Sequence, residues 1–245
     1  MKVTALWRHP IKGIGRERLD SVALTAGRPL PSDRAWAVRH DGAAEGEGWQ
    51  PRGNFVVVAS GPGLAAVEAE SDGDTVTLRH PELPTARFTL PKDGHSVLDW
   101  VRPIWPEARP APADMVRAPE TIGMADNGHA SLSILTEASL SALSDAAGQS
   151  LDPGRFRGNV LLSGSEPWAE FDWIGKRLRL GDAVLEVFDR IERCRATEAN
   201  PETGTRDVNT LALLRDTFGH RDFGVYARVI EGGSVATGDA ARLEG

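Results

Sequence analysis

Residues Lys176–Cys194 read KRLRLGDAVLEVFDRIERC, and this stretch ends on the chain's only cysteine. Its apolar residues come in short, largely alternating runs on either side of Gly181-Asp182. A period near two predicts two β-strands, and the Gly-Asp pair between them is a hairpin signal. Cys194 then falls at or just beyond the end of the second strand. The segment that follows, NPETG (200–204), is a turn: Asn200 can bond its own backbone, Pro201 fixes φ, and Gly204 releases the chain. Two readings of Cys194 stand side by side. Free cysteine is among the most buried residue types, which makes it a small apolar core residue. Alternatively, Arg193 and Arg195 favour a charged sulfur, which makes it a reactive or metal-binding thiolate. Neighbours along a strand point to opposite faces, so the flanking arginines alone do not decide.

Working outward, strand and helix signals alternate on both sides. Upstream, SLSILTEASLSALSDAAGQ (131–149) reads as a strand at Ser131–Leu135 followed by a helix. Thr136 is its cap, Leu140, Leu143 and Ala147 are its apolar face, and Gly148 is its stop. In DPGRF (152–156), Asp152 is an N-cap with Pro153 at the first helical position. NVLLSG (159–164) is a strand. Downstream, DVNTLALLRDTFG (207–219) is an amphipathic helix capped by Asp207 or Asn209, and FGVYARVIEGGSVATGDAARLE (223–244) closes in short strands.

The first ninety or so residues are β-rich. VTALW, LDSVAL, AWAVR, FVVVAS, LAAVEAE, TVTLRH and ARFTL are short runs punctuated by Gly, Pro, Asp and Asn, as in a small barrel or sandwich. GAAEGEGW (42–49) is a loop by composition. SVLDWVRPIW (96–105) predicts a short helix ended by Pro103, and WPEARPAPADMVRAPE (105–120), with four prolines, predicts a linker. The expected organisation is a β-rich unit over residues 1–92 and a second unit over residues 93–245. The fold class expected is mainly β with peripheral helices (α+β).

A chain of 245 residues needs neither disulfides nor a structural metal to fold. One cysteine excludes an internal disulfide and a Cys-rich zinc or iron–sulfur site. Its formal charge of −7 argues against general nucleic-acid binding. The N-terminal MKVTALWRHPIKG lacks a signal-peptide apolar run, and no stretch approaches a membrane span, so a soluble, cytoplasmic protein is expected. There is no phosphate loop, no complete G-x-G-x-x-G, no HExxH and no G-x-S-x-G elbow. The six histidines are scattered without metal spacing on a helix face. Local arginine clusters in DRAW, RFRGN and ERCR suit a pocket for an anionic small molecule.

The order HPIKG, SDRAW, SILTEASL, RFRGNVLLSG, ERCRATEANPETG, FGVYARV and GGSVATGDAARL resembles the MOSC family, named for the C-terminal domain of molybdenum-cofactor sulfurases. It resembles in particular the amidoxime-reducing members, which carry a β-barrel N-terminal domain. The resemblance implies a MOSC β-barrel preceded by a small β-rich N-terminal domain. It implies a molybdenum-pterin cofactor (Mo-molybdopterin) with Cys194, in C-x-x-T-x-x-[DN]-P-x-T-G, as direct metal ligand and catalytic residue. Cofactor contacts carried over are Lys12 and Gly13 in HPIKG, Arg34 in SDRAW, Arg157 and Asn159 in RFRGN, Glu192 and Arg193 beside the cysteine, Thr197 in its motif, Tyr226 in FGVY, and His129 and Ser131 ahead of SILTEASL. The sequence departs from the family at Gly13 for serine, Gly158 for proline, Glu192 for serine and Asn200 for aspartate.

The implied activity is reduction of N-hydroxylated small molecules. Electrons would come from a separate donor protein, a reductase or a cytochrome b5-like or ferredoxin-like carrier. The alternative is a non-reductase module that carries the cofactor or sulfur, as a persulfide, in the manner of the sulfurases.

Overall fold

The structure is a computed structural model and describes residues 1–244. In chain order the strands are β1 (Lys2–Arg8), β2 (Ile11–Lys12), β3 (Glu17–Leu19), β4 (Ser21–Leu24), β5 (Trp36–His40), β6 (Glu68–Asp72), β7 (Thr75–His80), β8 (Leu83–Thr89), β9 (Pro112–Arg117), β10 (Leu132–Thr136), β11 (Val160–Ser163), β12 (Arg177–Leu180), β13 (Ala183–Glu192), β14 (Asp222–Glu231), β15 (Gly233–Ala236) and β16 (Ala241–Glu244). The helices are α1 (Gly94–Val101), α2 (Glu137–Ala147) and α3 (Thr210–Phe218). The chain is therefore mainly β with peripheral helices, as the strand-rich sequence predicts.

Eight strands form one sheet in the order β16-β12-β13-β14-β10-β11-β1-β3. Within this sheet only β10 and β11 run parallel. The connection between them passes through α2, the crossover that a parallel pair needs. The sheet curls until β1 meets the segment before β16: Val3 N–H donates to Asp239 O and Ala241 N–H to Met1 O, both at 2.9 Å. Period-two patterning explains the closed shape. Leu132 and Ile134, Val160 and Leu162, Leu178 and Leu180, Leu185 and Val187, and Val225, Ala227 and Val229 fill one inner core. The alternate residues Ala5, Trp7, Leu135, Leu161 and Phe223 face outward, under α2 and α3, against Leu143 and Leu214.

The start signals of α2 and α3 are physical caps. Thr136 Oγ1 accepts from Ser139 N–H at 3.3 Å, and Gly148 ends α2 with φ +65°. Asn209, and not Asp207, caps α3, accepting from Ala212 N–H at 3.0 Å. Asp152 caps a short 3₁₀ turn, Pro153–Phe156.

The second core belongs to the sheets β2-β5-β9 and β6-β7-β8 with α1. Three expectations change here. FVVVAS is not a strand: after a single bridge at Phe55 the chain turns, with Ser60 N–H donating to Val57 O at 2.9 Å. Its valines are buried in two different clusters, Val56 and Val58 in one and Val57 in the other, so apolar density here reflects burial on both sides rather than sheet pairing. LAAVEAE begins as a 3₁₀ turn, Pro62–Ala66, before β6. The proline-rich linker contains β9, which pairs antiparallel with β5 from Trp36↔Arg117 to His40↔Pro112. β9 is an edge strand, where a missing proline N–H is tolerated.

Strand pairing also crosses the unit boundary expected at residues 92/93. β1 and β3 join the large sheet, because Val3 and Leu6 belong to the barrel core, while α1 and β9 pack with the first unit.

Under α2 the barrel buries a carboxyl, Glu170, fully out of solvent. Its Oε2 accepts from Ser139 Oγ (2.9 Å) and Thr136 Oγ1 (3.2 Å), while Oε1 has no partner among the described residues. Burial raises its pKa above the ordinary glutamate value despite these hydrogen bonds. A folded-state value above the unfolded one means stability is complete below about pH 4, where the unfolded carboxyl is also protonated, and is lost as pH rises through the raised value. Glu170→Gln should therefore match the wild type in thermal melting at pH 4 and melt higher at pH 8. A wild-type advantage at pH 8 would contradict this reading.

Candidate functional site

β13 delivers the chain to Cys194, whose extended backbone begins a 3₁₀ turn over Arg195–Glu198. Thr197 holds this turn twice. Its N–H and its hydroxyl both donate to Cys194 O at 3.1 Å, and the hydroxyl also shares a 2.6 Å hydrogen bond with Thr210 on α3. The NPETG turn forms as its residues predict: Glu202 N–H donates to Asn200 Oδ1 at 2.8 Å and Gly204 takes φ +68°. A Cβ on Gly204 would lie 2.9 Å from Gly63 Cα, so the turn sits directly on the first unit's backbone. Ala199 is buried in that unit's core. From the other side Arg155, itself buried, grips Asp207 with both Nη atoms at 2.7 and 2.6 Å. The cysteine turn is thus clamped between the barrel and the first unit.

Beside it opens a cleft of about 400 Å³. Lys12, Gly13, Arg34, Ser131, Arg157, Asn159, Glu192, Arg193, Cys194, Thr197 and Tyr226 all line it. Residues from six separated segments of sequence therefore meet on one surface, with Cys194 partly exposed. His129 is the exception. Asn127 Oδ1 accepts from His129 N–H at 3.0 Å, and the resulting turn sends the imidazole outward to pack edge-on against Phe188, ring centroids 6.0 Å apart. Asn127 Nδ2 donates to Ser131 Oγ at 3.0 Å, which leaves Ser131 as that segment's residue at the cleft.

Charge dominates the lining. Lys12, Arg34, Arg52, Arg155, Arg157 and Arg193 face two carboxylates, Asp126 and Glu192. Glu192 is already paired with Arg221 at the exposed rim, so its charge is compensated. Arg34 pairs with Asp33, and Arg155 with Asp207. Arg157 and Arg193 have no carboxylate within salt-bridge distance among the described residues. Arg157 donates to Gly15 O at 3.2 Å. Arg193 donates to Phe156 O (2.8 Å) and to Phe223 O from Nε (2.8 Å) and Nη2 (2.5 Å). Desolvation, reinforced for both by Arg34, pushes Arg157 down to about 9 and Arg193 down to about 10. At neutral pH both remain protonated, so the push acts as a pull on any anion entering the cleft. His9 adds no charge: burial, then Arg157 and Arg34, hold its pKa well below the ordinary value, and its ring nitrogens face Gly15 O (3.4 Å) and Gly158 O (3.2 Å).

The backbone is strained at the same place. Arg34 and Arg157 have φ of +50° and +46°, a region that non-glycine residues avoid. The two are tied together, Arg34 Nη2 donating to Arg157 O at 2.9 Å. Asn159 is a strut: its Oδ1 accepts from Ser133 Oγ (2.9 Å) and Ser133 N–H (3.0 Å), and its Nδ2 donates to Trp7 O (3.2 Å).

Sequence reasoning missed Arg52, Asp126, Ser133 and Arg155. Arg155 lay inside the quoted RFRGN, and its separation of two from Arg157 was the available signal. Nothing local marks Arg52, which approaches the cleft from a short 3₁₀ turn, or Asp126, which approaches it from a loop. Among the described residues no three His, Cys, Asp or Glu side chains converge. A metal here would take one soft protein ligand, Cys194, and complete its sphere from a bound group. The lining suits an anionic group of that kind: among the described residues Arg155 Nε is buried without a partner, and the guanidiniums of Arg157 and Arg193 lack counter-ions.

Gly13 has φ +76°, and a Cβ there would meet Val56 O at 2.7 Å and Val57 Cα at 2.8 Å. Position 13 therefore excludes a serine side chain. Gly13→Ser should lower stability by about 2 kcal/mol and should not tighten anion binding; denaturant unfolding and phosphate titration check both.

The family profile for the MOSC N-terminal beta barrel domain matches residues 1–102, and that for the MOSC domain matches residues 120–242. Mitochondrial amidoxime-reducing component 1 from Homo sapiens is 25% identical, covering 99% of this chain and 83% of that protein. Molybdenum cofactor sulfurase from Oryza sativa subsp. japonica is 32% identical over 90 residues, 34% of this chain and 11% of that protein. Among solved structures, the YUAD protein from Bacillus subtilis shares the fold, with a TM-score of 0.50 and 15% identity over 99% of this chain and 94% of that one. Barrel, N-terminal unit and profile matches agree: the chain belongs to the MOSC family, with a MOSC N-terminal β-barrel domain preceding its MOSC domain.

Proposed function

We propose that this protein is a molybdenum-cofactor-dependent oxidoreductase that reduces N-hydroxylated small molecules, with Cys194 as the metal's protein ligand. The observation that carries the reading is the meeting of the lone cysteine with Arg157 and Arg193, two guanidiniums without carboxylate partners among the described residues, in the lining of one cleft. Similarity to an amidoxime-reducing protein over nearly the whole chain supports the substrate class.

A thiolate suits a soft metal, and guanidinium groups suit phosphate and other anionic oxygens. Lys12, Arg34 and Arg157 would hold the phosphate and pterin, with Gly13, Ser131, Asn159, Thr197 and Tyr226 as further contacts. When bound, the cofactor supplies two-electron redox chemistry at a metal. The protein's part is to fix the thiol, neutralise the anion and admit substrate past the Glu192–Arg221 pair. Tyr226 stacks on Phe188, centroids 6.0 Å apart, and burial raises its pKa, so its hydroxyl keeps its proton at neutral pH and can donate to an oxygen in the cleft. Electrons would come from a separate carrier protein, since the sequence has no dinucleotide fingerprint and too few cysteines for a cluster.

A second reading follows from the similarity to molybdenum cofactor sulfurases over about a third of the chain. In it the cleft carries cofactor or sulfur without turnover.

Protein produced in a host that makes the cofactor should contain molybdenum near stoichiometrically, and Cys194→Ser should lose most of it, measured by elemental analysis. Arg157→Ala should lower pterin content as well. Reduced viologen should drive reduction of an amidoxime by the loaded wild type, while NADH alone should not. Equal molybdenum in wild type and Cys194→Ser would refute ligation. A persulfide on Cys194 with no metal, or loaded protein inert toward amidoximes, hydroxamates and N-hydroxylated bases, would favour the carrier.

A further inference from the structure

A carboxylate lies inside a cleft otherwise suited to anions. Asp126 Oδ1 accepts from Lys12 Nζ, and its Oδ2 lies 4.0 Å from Arg52 Nη1. The pair is unequal in exposure. The Lys12 side chain is 4% exposed and Asp126 47%. Lys12 reaches this point from beneath: its ammonium lies 5.7 Å from the Phe55 ring centroid and donates to Met124 O at 2.7 Å. A buried ammonium without a counter-charge is strongly disfavoured. Burial lowers the Lys12 pKa and Asp126 opposes that shift most. Asp126 thus keeps the lysine charged, from the solvent side. The same carboxylate repels any anion drawn in by Arg34, Arg52 and Arg157.

The backbone under Asp126 is anchored. Met124 is fully buried and its N–H donates to Arg34 O at 2.9 Å. Trp49 Nε1 donates to Ala125 O at 2.7 Å. A Cβ on Gly123 would lie 3.0 Å from Asp33 O. The loop therefore has little freedom to swing, whereas a half-exposed aspartate side chain turns about its own bonds at small cost.

We propose that Asp126 is an exchangeable counter-ion: a phosphate-type anion takes over Lys12 and Arg52, and the Asp126 carboxylate rotates into the solvent it already faces. The proposal rests on the reading of the cleft as an anion site and deepens it by naming the group that the ligand must displace. No bond is made or broken, and one anion replaces another beside the same cations. The opposite role, a fixed carboxylate that orients Lys12 toward the ligand, makes the opposite prediction for removal of its charge.

The test is calorimetric titration of the full, cofactor-free chain with inorganic phosphate at low ionic strength. Asp126→Asn should bind phosphate about fivefold more tightly than wild type, or better, the factor expected when one like charge is removed near 4 Å at a water-exposed position. Asp126→Ser, which keeps a small polar side chain, should behave the same way and guards against a folding defect peculiar to asparagine. Lys12→Met should weaken binding in the wild-type background and cancel the gain in the Asp126→Asn background. Equal or weaker binding by both Asp126 variants would overturn the exchange while leaving the anion cleft intact. Unchanged phosphate affinity in Lys12→Met would place the anion elsewhere and overturn the exchange as well. Absence of phosphate binding in wild type and variants alike would overturn the anion-cleft reading itself.

Discussion

Arg157 and Arg193 are partly buried guanidiniums whose partners are backbone carbonyls rather than carboxylates, and the rest of the site is arranged around them. Arg193 joins Phe156 O and Phe223 O, so it ties the RFRGN turn to the first residues of β14 beside Cys194. Arg157 reaches Gly15 O and is itself held through its carbonyl by Arg34. A carbonyl satisfies hydrogen-bonding geometry but carries no net charge, so each guanidinium remains under-compensated. One arrangement therefore does two things. It fastens three distant segments around the thiol, and it leaves a local excess of positive potential on the wall of a small cleft.

The geometry is costly in backbone terms, which is why it depends on the packing around it. Arg34 and Arg157 sit in the left-handed region, worth about 1–2 kcal/mol each. Gly158, next to Arg157, has no room for a side chain, since a Cβ would lie 2.6 Å from the Leu135 side chain. Gly224 is equally enclosed, 2.5 Å from Ile134 O by the same measure. The barrel under these positions is filled by fully buried Ile134, Val160, Val187 and Val225, and a close-packed core of that kind holds strained segments in one conformation.

The first unit contributes more than a lid. It supplies Lys12, Gly13, Arg34 and Arg52 to the cleft, and its core receives Ala199 from the cysteine turn. The shared strands make this placement firm, because β1 is both the start of the chain and a stave of the barrel. The departures from the family pattern have local reasons. Glycine at 13 follows from its contact with Val56 and Val57. Glu192 is answered by Arg221, and Asn200 closes the turn through Asp207, donating from Nδ2 at 2.8 Å.

What the sequence determined by itself was local or ordered along the chain. The hairpin at Gly181-Asp182, the cap Thr136, the NPETG turn and the alternation of barrel strands depend on near neighbours, so their residues announce them, while the cap of α3 is narrowed to Asp207 or Asn209. The order of seven short motifs was enough to name the family and to point to half of the residues that line the cleft. Tertiary structure decided the rest, because it turns on packing and long-range charge. FVVVAS is irregular since its valines serve two cores. The proline-rich segment is a strand since β5 offers it an edge. His129 faces outward since Asn127 turns the backbone there. Asp126 and Arg52 belong to the cleft only because the tertiary fold brings a distant loop and a 3₁₀ turn to it, and no pattern beside Asp126 could announce its partner Lys12, 114 residues away.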